Sequence, residues 1–319
     1  MQTGDGGIGW LQVVGAVIGA ALVAGVLLGL FWFKKRRREQ RRERPPQREK
    51  LLRPAGYWAM KQVDERWENL TWAVAQTIGA GVFFGLVAGS LFPLVAGLAL
   101  GRFTLAQVWG ARGSDVFLVG MLMGVIALLW AVRALQRIWR LEDEIRNWRF
   151  GLRGEQAVAE KLASRELAAA GYVAFHDVPG DGKWNIDHVV VGPGGVFVLE
   201  TKARARRKAT RDQEESLVLF DGRNLQFPWC DDRKAAGQAE RNADWVRQFI
   251  ADFAPKDILV QPVVVVPGWY VKALGNFPVK VMNATYLVGY VAEAKAQCTA
   301  EQLRPIIRRL DERCRDLEF

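Results

Sequence analysis

Histidine and cysteine are scarce in these 319 residues: two histidines, His176 and His188, and three cysteines, Cys230, Cys298 and Cys314. The cysteines show no zinc-ligand spacing and form an odd set, which argues against a disulfide framework and fits a reducing cytoplasm. None has a paired base beside it, so none is a candidate nucleophile. A Ser-His-Asp arrangement, a P-loop and a dinucleotide fingerprint are missing as well, which removes the commonest hydrolase and nucleotide-binding classes. Of the two histidines, His188 suits packing or a hydrogen bond to a neighbour better than ligation, and His176 suits a surface or capping position.

Charge is missing from three long stretches. Ile8 to Phe33 is uncharged and exceeds the roughly 20 residues that cross a bilayer. A secretory signal peptide needs a basic leader, whereas only Asp5 precedes this run. Leu70 to Gly101, interrupted by Pro93, is too long for one upright span and too short for two, as in a tilted or kinked helix, or a helix with a re-entrant end. Val116 to Val132 is shorter and equally uncharged. Basic residues follow the first run, from Lys34 to Arg44, and the third, at Arg133, Arg137, Arg140, Arg146 and Arg149. Positive residues stay cytoplasmic, so this pattern predicts an integral membrane protein with three spans, an outside N-terminus and a cytoplasmic C-terminal half. The expected order is a span over 1–33, a basic linker over 34–69, a helical hairpin over 70–134, a helical connector over 135–150, an α/β domain over 151–290 and a helical extension over 291–319. The expected partners are then the lipid bilayer and, through the Gly15/Gly19 and Gly25/Gly29 pairs, a second copy.

The basic balance is confined to one half. Residues 1–150 contain 20 Lys and Arg against 11 Asp and Glu, whereas residues 151–319 contain 24 against 23. A net charge of +10 therefore says little about nucleic acid. One local cluster stands apart: Arg204, Arg206, Arg207, Lys208 and Arg211. A solvated loop is the plain reading of it, and phosphate-backbone contact is the functional one.

The most informative stretch runs from Asn185 to Lys202. β-Branched and apolar residues flank Gly192-Pro193-Gly194-Gly195, the local signal for two antiparallel strands and a tight turn. If Gly192 pairs with Gly195, Asp187 lies opposite Glu200 and Asn185 opposite Lys202. Opposed carboxylates repel, so an arrangement that keeps them suggests a cation between them, and a hard divalent ion takes such ligands. Glu200 and Lys202 share one face of their strand. The plain alternative is a strand-end cap at Asp187 and an exposed ion pair between Glu200 and Lys202.

Asp187 followed by Glu200-Thr201-Lys202 resembles the PD-(D/E)xK nuclease signature. With Gly151-Leu152-Arg153-Gly154-Glu155 upstream and Ile186-Asp187-His188-Val189 in the hairpin, the segment 151–290 resembles the nuclease-related domain family, NERD. The resemblance implies a restriction-endonuclease-like mixed β-sheet flanked by helices, here preceded by an all-α transmembrane region. It also implies phosphodiester hydrolysis of nucleic acid, DNA foremost, with Mg²⁺ (or Mn²⁺). The implied metal ligands are Glu155, Asp187, Glu200 and the Thr201 carbonyl; Lys202 would act on water or phosphate, and Gln238 would position water or substrate. Read without the family, Glu155 in the first turn of a helix is favourable to the helix dipole.

Periodicity places helices at about 135–147, 151–170, 235–253 and 300–316. Strands fall at about 172–177, 185–191, 196–203, 216–220, 258–266 and 279–282. The unbroken Val263–Val266 run predicts a strand buried on both faces. The expectation is a membrane-anchored, metal-dependent nuclease facing the cytoplasm. The alternatives are a tethered module that binds nucleic acid or nucleotide without cutting it, and a scaffold whose working part is the spans.

Overall fold

The computed structural model describes residues 29, 32–33, 50–99, 113–207, 209–210 and 214–318. The chain divides into two compact units, Met1–Glu43 with Glu65–Glu144, and Arg44–Asp64 with Ile145–Phe319. Two long helices, α1 (Tyr57–Ala99) and α2 (Gly113–Leu162), contribute residues to both. Within the first unit Arg66 Nε lies 2.9 Å from Glu144 Oε2, and Leu70 and Ala73 are buried.

The expected membrane anchoring is overturned: among the described residues no helix is long and apolar enough to cross a membrane. The run from Val116 to Val132 falls short of about 20 residues and continues without a break into the Arg- and Glu-rich part of α2. The described part of the second run is the tail of α1, whose first turns hold Lys61, Asp64, Glu65, Arg66 and Glu68. The first run, apart from Gly29, Trp32 and Phe33, lies outside the described residues, as do Gly15, Gly19, Gly25 and the basic stretch Lys34–Arg44. With the spans go the all-α transmembrane region, the lipid partner, the glycine-mediated pairing within a membrane and the three-span topology.

The second unit is built on a five-stranded mixed sheet. Its strands are β2 (Val173–Pro179), β3 (Asn185–Gly192), β4 (Gly195–Thr201), β8 (Val260–Val265) and β10 (Lys280–Met282), in the order β10-β8-β4-β3-β2. β2, β3 and β4 pair antiparallel, and β4, β8 and β10 parallel. The valine run predicted to be doubly buried is β8, between β4 and β10, with Val263, Val264 and Val265 fully buried. A short sheet of β5 (Leu217–Phe220), β6 (Leu225–Gln226), β7 (Asp231–Asp232) and β9 (Tyr270–Ala273) adjoins it. β1 (Lys50–Leu51) pairs with β11 (Leu317–Glu318).

Alternation along the strands feeds two cores. Val189, Val191, Val196 and Val198 pack on one face against α4 (Ala235–Ile250) and α6 (Ala300–Cys314). Val190, Phe197 and Leu199 pack on the other against the end of α2, α3 (Arg165–Ala169) and α5 (Ala284–Ala292). α4 buries Ala235, Ala236, Ala239, Asn242, Ala243, Val246 and Ile250, a helical stripe that is apolar except for Asn242. That exception faces the site described next. α6 begins at a capping box in which Thr299 and Gln302 bond each other's backbone N–H. The expected helix over 151–170 proves to be two: α2 runs through Gly151 to Leu162, and α3 follows from an N-cap at Ser164.

Candidate active site

The hairpin has the register its turn dictates. Gly192 pairs with Gly195, and the ladder runs through Val191↔Val196, Val190↔Phe197 and Val189↔Val198 to His188↔Leu199. There it stops. β4 continues alone against β8, with Glu200↔Val264 and Thr201↔Val265. Asp187, which the register would set opposite Glu200, instead accepts the Thr201 N–H at 2.6 Å through Oδ2. The expected Asn185–Lys202 opposition does not form, because the β3–β4 ladder ends at His188↔Leu199 and β4 itself ends at Thr201. Asn185 donates to Asp177 Oδ1 at 2.8 Å.

Glu200 and Lys202 emerge where β4 runs out beneath α4. Lys202 Nζ donates to Glu200 Oε1 at 2.6 Å and to Gln238 Oε1 at 3.1 Å. Asn242, one turn along α4, donates to Glu200 Oε2 at 3.1 Å. Gln238 and Asn242 are four apart, so both reach the same strand end. The structure thus brings Gln238 to Lys202 and adds Asn242, which the sequence reading passed over. Its signal was a polar residue at a core position of an otherwise apolar helical stripe.

Glu155 approaches from the opposite side. It lies deep inside α2 rather than in a first turn, which removes the helix-dipole explanation. Gly154 permits the approach: a Cβ there would sit 2.5 Å from the Ala203 Cβ. Glu155 Oε2 is buried and has no hydrogen-bond partner.

Electrostatics ties these groups together. Burial raises the Glu155 carboxyl to about 8, with Asp177 and Glu200 adding repulsion and Lys202 opposing it. Burial, then Glu200 and Glu155, hold the Asp187 carboxyl well above the usual range. Glu200 is also raised by burial, against the pull of Lys202 and Asn242. Burial works against the Lys202 ammonium, yet Glu200, Asp187 and Asp232 together outweigh it and keep its pKa above the ordinary value. One ammonium therefore balances three buried carboxyl groups.

The donor set fits a hard divalent cation in kind: three carboxylates, one with an orphaned buried oxygen. It does not form a ready cage. Among the described residues no three His, Cys, Asp or Glu side chains are grouped to hold a metal ion. The expected preformed centre is corrected accordingly, and the physical reason is that Asp187 turns to the Thr201 N–H and Glu200 to Lys202 and Asn242.

The basic cluster separates into parts. Arg204 is committed to Asp232, 2.7 Å away, and its carbonyl accepts the Trp269 indole N–H. Arg206 and Arg207 are exposed, whereas Lys208 and Arg211 lie outside the described residues. His188 is fully buried and its Nδ1 lies 2.9 Å from the Nδ1 of His176, so His176 is a cross-strand partner and not a cap. All three cysteines are free.

Residues 150–267 match the family model described as NERD, nuclease-related domain. That segment contains Glu155, Asp187, the Glu200–Lys202 strand end and Gln238. No curated protein and no solved structure matches the chain. The match covers a little over a third of the chain and coincides with most of the mixed, helix-flanked sheet.

Proposed function

We propose that this protein hydrolyses phosphodiester bonds of nucleic acid. The observation that carries the reading is the convergence of Glu200, Lys202 and Gln238 at the end of β4, with Asp187 bonded one residue along. The match of this segment to a nuclease-related domain supports it.

Lys202 stays an ammonium at neutral pH, so its role is to stabilise charge on the phosphate rather than to remove a proton from water. Gln238 holds that ammonium and presents an amide to substrate or water. Asn242 fixes the far oxygen of Glu200 and so its orientation. Of this chain's groups, Glu155, Asp187, Glu200 and the Thr201 carbonyl would hold Mg²⁺ or Mn²⁺. Such an ion supplies polarisation of the phosphoryl oxygen and a bound water of lowered pKa. The raised carboxyl pKa values make ionisation of Glu155 and Asp187 the step that prepares the site for a cation. DNA is the substrate class to test first, with Arg206 and Arg207 as backbone contacts.

Cleavage of single- and double-stranded DNA and RNA should be followed with Mg²⁺, with Mn²⁺ and with chelator. Lys202→Ala is expected to lower the rate roughly 10²- to 10³-fold, the scale of losing one preorganised charge-stabilising group. Asp187→Ala should do the same. Undiminished cleavage in both variants would overturn the assignment. Binding without cleavage under every metal would leave a non-catalytic nucleic-acid-binding module.

A further inference from the structure

A cleft of about 490 Å³ opens beside this site, lined by Trp184, Asn185, Gln238, Arg241, Asn242 and Trp245 among others. Two of those residues touch the strand end directly: Gln238 through Lys202 and Asn242 through Glu200. Whatever fills the cleft therefore lies next to the groups proposed to act on phosphate.

The aromatic walls are built, not incidental. The Trp184 and Trp245 rings stand 5.5 Å apart at 86°. Trp245 is fixed on three sides: its Nε1 donates to Asp181 at 2.7 Å, its ring stacks on Phe249 at 5.1 Å, and the Arg313 guanidinium lies 4.9 Å from its centroid. Trp184 is seated on the backbone of Gly180, where a Cβ would lie 2.2 Å from the indole. It nonetheless remains 38% exposed, so part of the ring is open to the solvent. Asn185, Gln238 and Gln248 bring amide donors and acceptors to the rim. Exposed Arg241 has no ion-pair partner among the described residues. Asp244 also lines the cleft but is paired with Arg247.

The geometry points to this cleft as a receptor for an unpaired nucleobase of a single-stranded substrate, stacked on Trp184, with the adjoining phosphate delivered to Lys202. The inference rests on the proposed nuclease reading and narrows its substrate. An exposed indole held beside a fixed one offers a π-face, and amides around it can meet a base edge. A duplex keeps its base faces covered by their neighbours, so only an unpaired base can stack there. Arg241 supplies the charge that a flanking phosphate requires.

Fluorescence anisotropy of the full-length protein in chelator tests this, using a labelled oligothymidylate and a labelled duplex of equal length. Trp184→Ala is expected to weaken single-strand binding roughly 5- to 150-fold, the range for losing one base–aromatic stack, and to leave duplex binding unchanged. Trp184→Leu, which keeps apolar bulk without a π-face, should show the same loss. Equal single-strand affinity in parent and both variants would overturn the proposal. So would displacement of the strand by thymidine monophosphate at matching concentration, which would assign the cleft to a free nucleotide. Cleavage that depends on Lys202 together with strand binding indifferent to Trp184 sinks this inference alone. Trp184-dependent strand binding without cleavage under any metal sinks the nuclease reading and leaves the receptor standing.

Discussion

Glu155 occupies an unfavourable position for a carboxyl group. Its Oε2 is buried without a partner, and repulsion from Asp177 and Glu200 adds to the burial that lifts its pKa to about 8. A carboxyl group placed at such cost is what a site needs when a cation or a phosphate is to be handled. Replacing it with an amide of the same shape removes the proton uptake that a carboxyl of pKa about 8 imposes on folding at neutral pH. In chelator, Glu155→Gln should raise stability by about 0.5–2 kcal/mol, and with Mg²⁺ added its cleavage should fall; a thermal melt and a cleavage assay read the two. A melt unchanged or lowered would show that the neighbours tolerate this carboxylate. Beside it, Gly154→Ala should be destabilising. Alanine gains about 1 kcal/mol of helix propensity, but the new Cβ meets Ala203 at 2.5 Å, and overpacking of that kind costs roughly 1–3 kcal/mol. Urea unfolding with a higher midpoint in the alanine variant would mean that α2 shifts freely there.

At the scale of elements, the paired histidines tie β2 to β3. Burial lowers the pKa of both, and for His188 the neighbouring His176 adds to it. A depressed imidazole pKa means that the unfolded chain takes up protons the folded chain resists. Stability from this pair is complete above the ordinary imidazole value of about 6.5 and is lost as pH falls below it. The raised Glu155, Asp187 and Glu200 act in the opposite sense, favouring the fold on acidification. Comparison with a variant isolates the histidine contribution. His176→Gln, which can still bond His188, should reduce acid destabilisation between about pH 7 and pH 5, measured by urea midpoints; an unchanged pH slope would remove the pair from the account. The same elements show what could be read in advance. Gly192 to Gly195 set the hairpin register, and the valine run of β8 announced its central place, because both signals are local. The end of the ladder at His188 was not legible, since it depends on Asp187 turning to the Thr201 N–H. Nor was the fate of the uncharged runs: apolar length alone does not say how far a helix continues beyond it, as α1 and α2 do. The partner of Asn242 emerges only when α4 meets the end of β4, and the Trp184–Trp245 pair only when α4 meets the chain entering β3.

For the whole molecule, the segment before α1 is part of the unit that holds the site. Residues Arg44–Asp64 group with Ile145–Phe319, and one residue does much of the fastening. Arg53 bonds Asp177 Oδ2 at 3.0 Å and the Asp177 carbonyl at 3.2 Å, and it reaches Asp316 at 2.7 and 2.5 Å. Asp177 is fully buried, adopts a left-handed backbone with φ of 50°, and also accepts the Trp58 N–H and the Asn185 amide. It lies two residues before the strand end at Pro179, so the clamp sets the edge of the sheet next to the cleft. The two ion pairs of Arg53 are not equivalent. Asp316 is 45% exposed at its side chain, whereas Asp177 is inaccessible. Exposed pairs contribute about 0–1 kcal/mol, but removing the partner of a buried charge costs roughly 3–5 kcal/mol. Arg53→Ala should therefore unfold at markedly lower urea, and Asp316→Ala should lie close to the parent. A fragment beginning at residue 150 keeps every proposed site residue yet loses Arg53, the Trp58 N–H and the β1–β11 pair, so it should melt below a protein that retains them. Equal melting of the two would show that the clamp fastens the segment to the sheet without supporting the sheet itself.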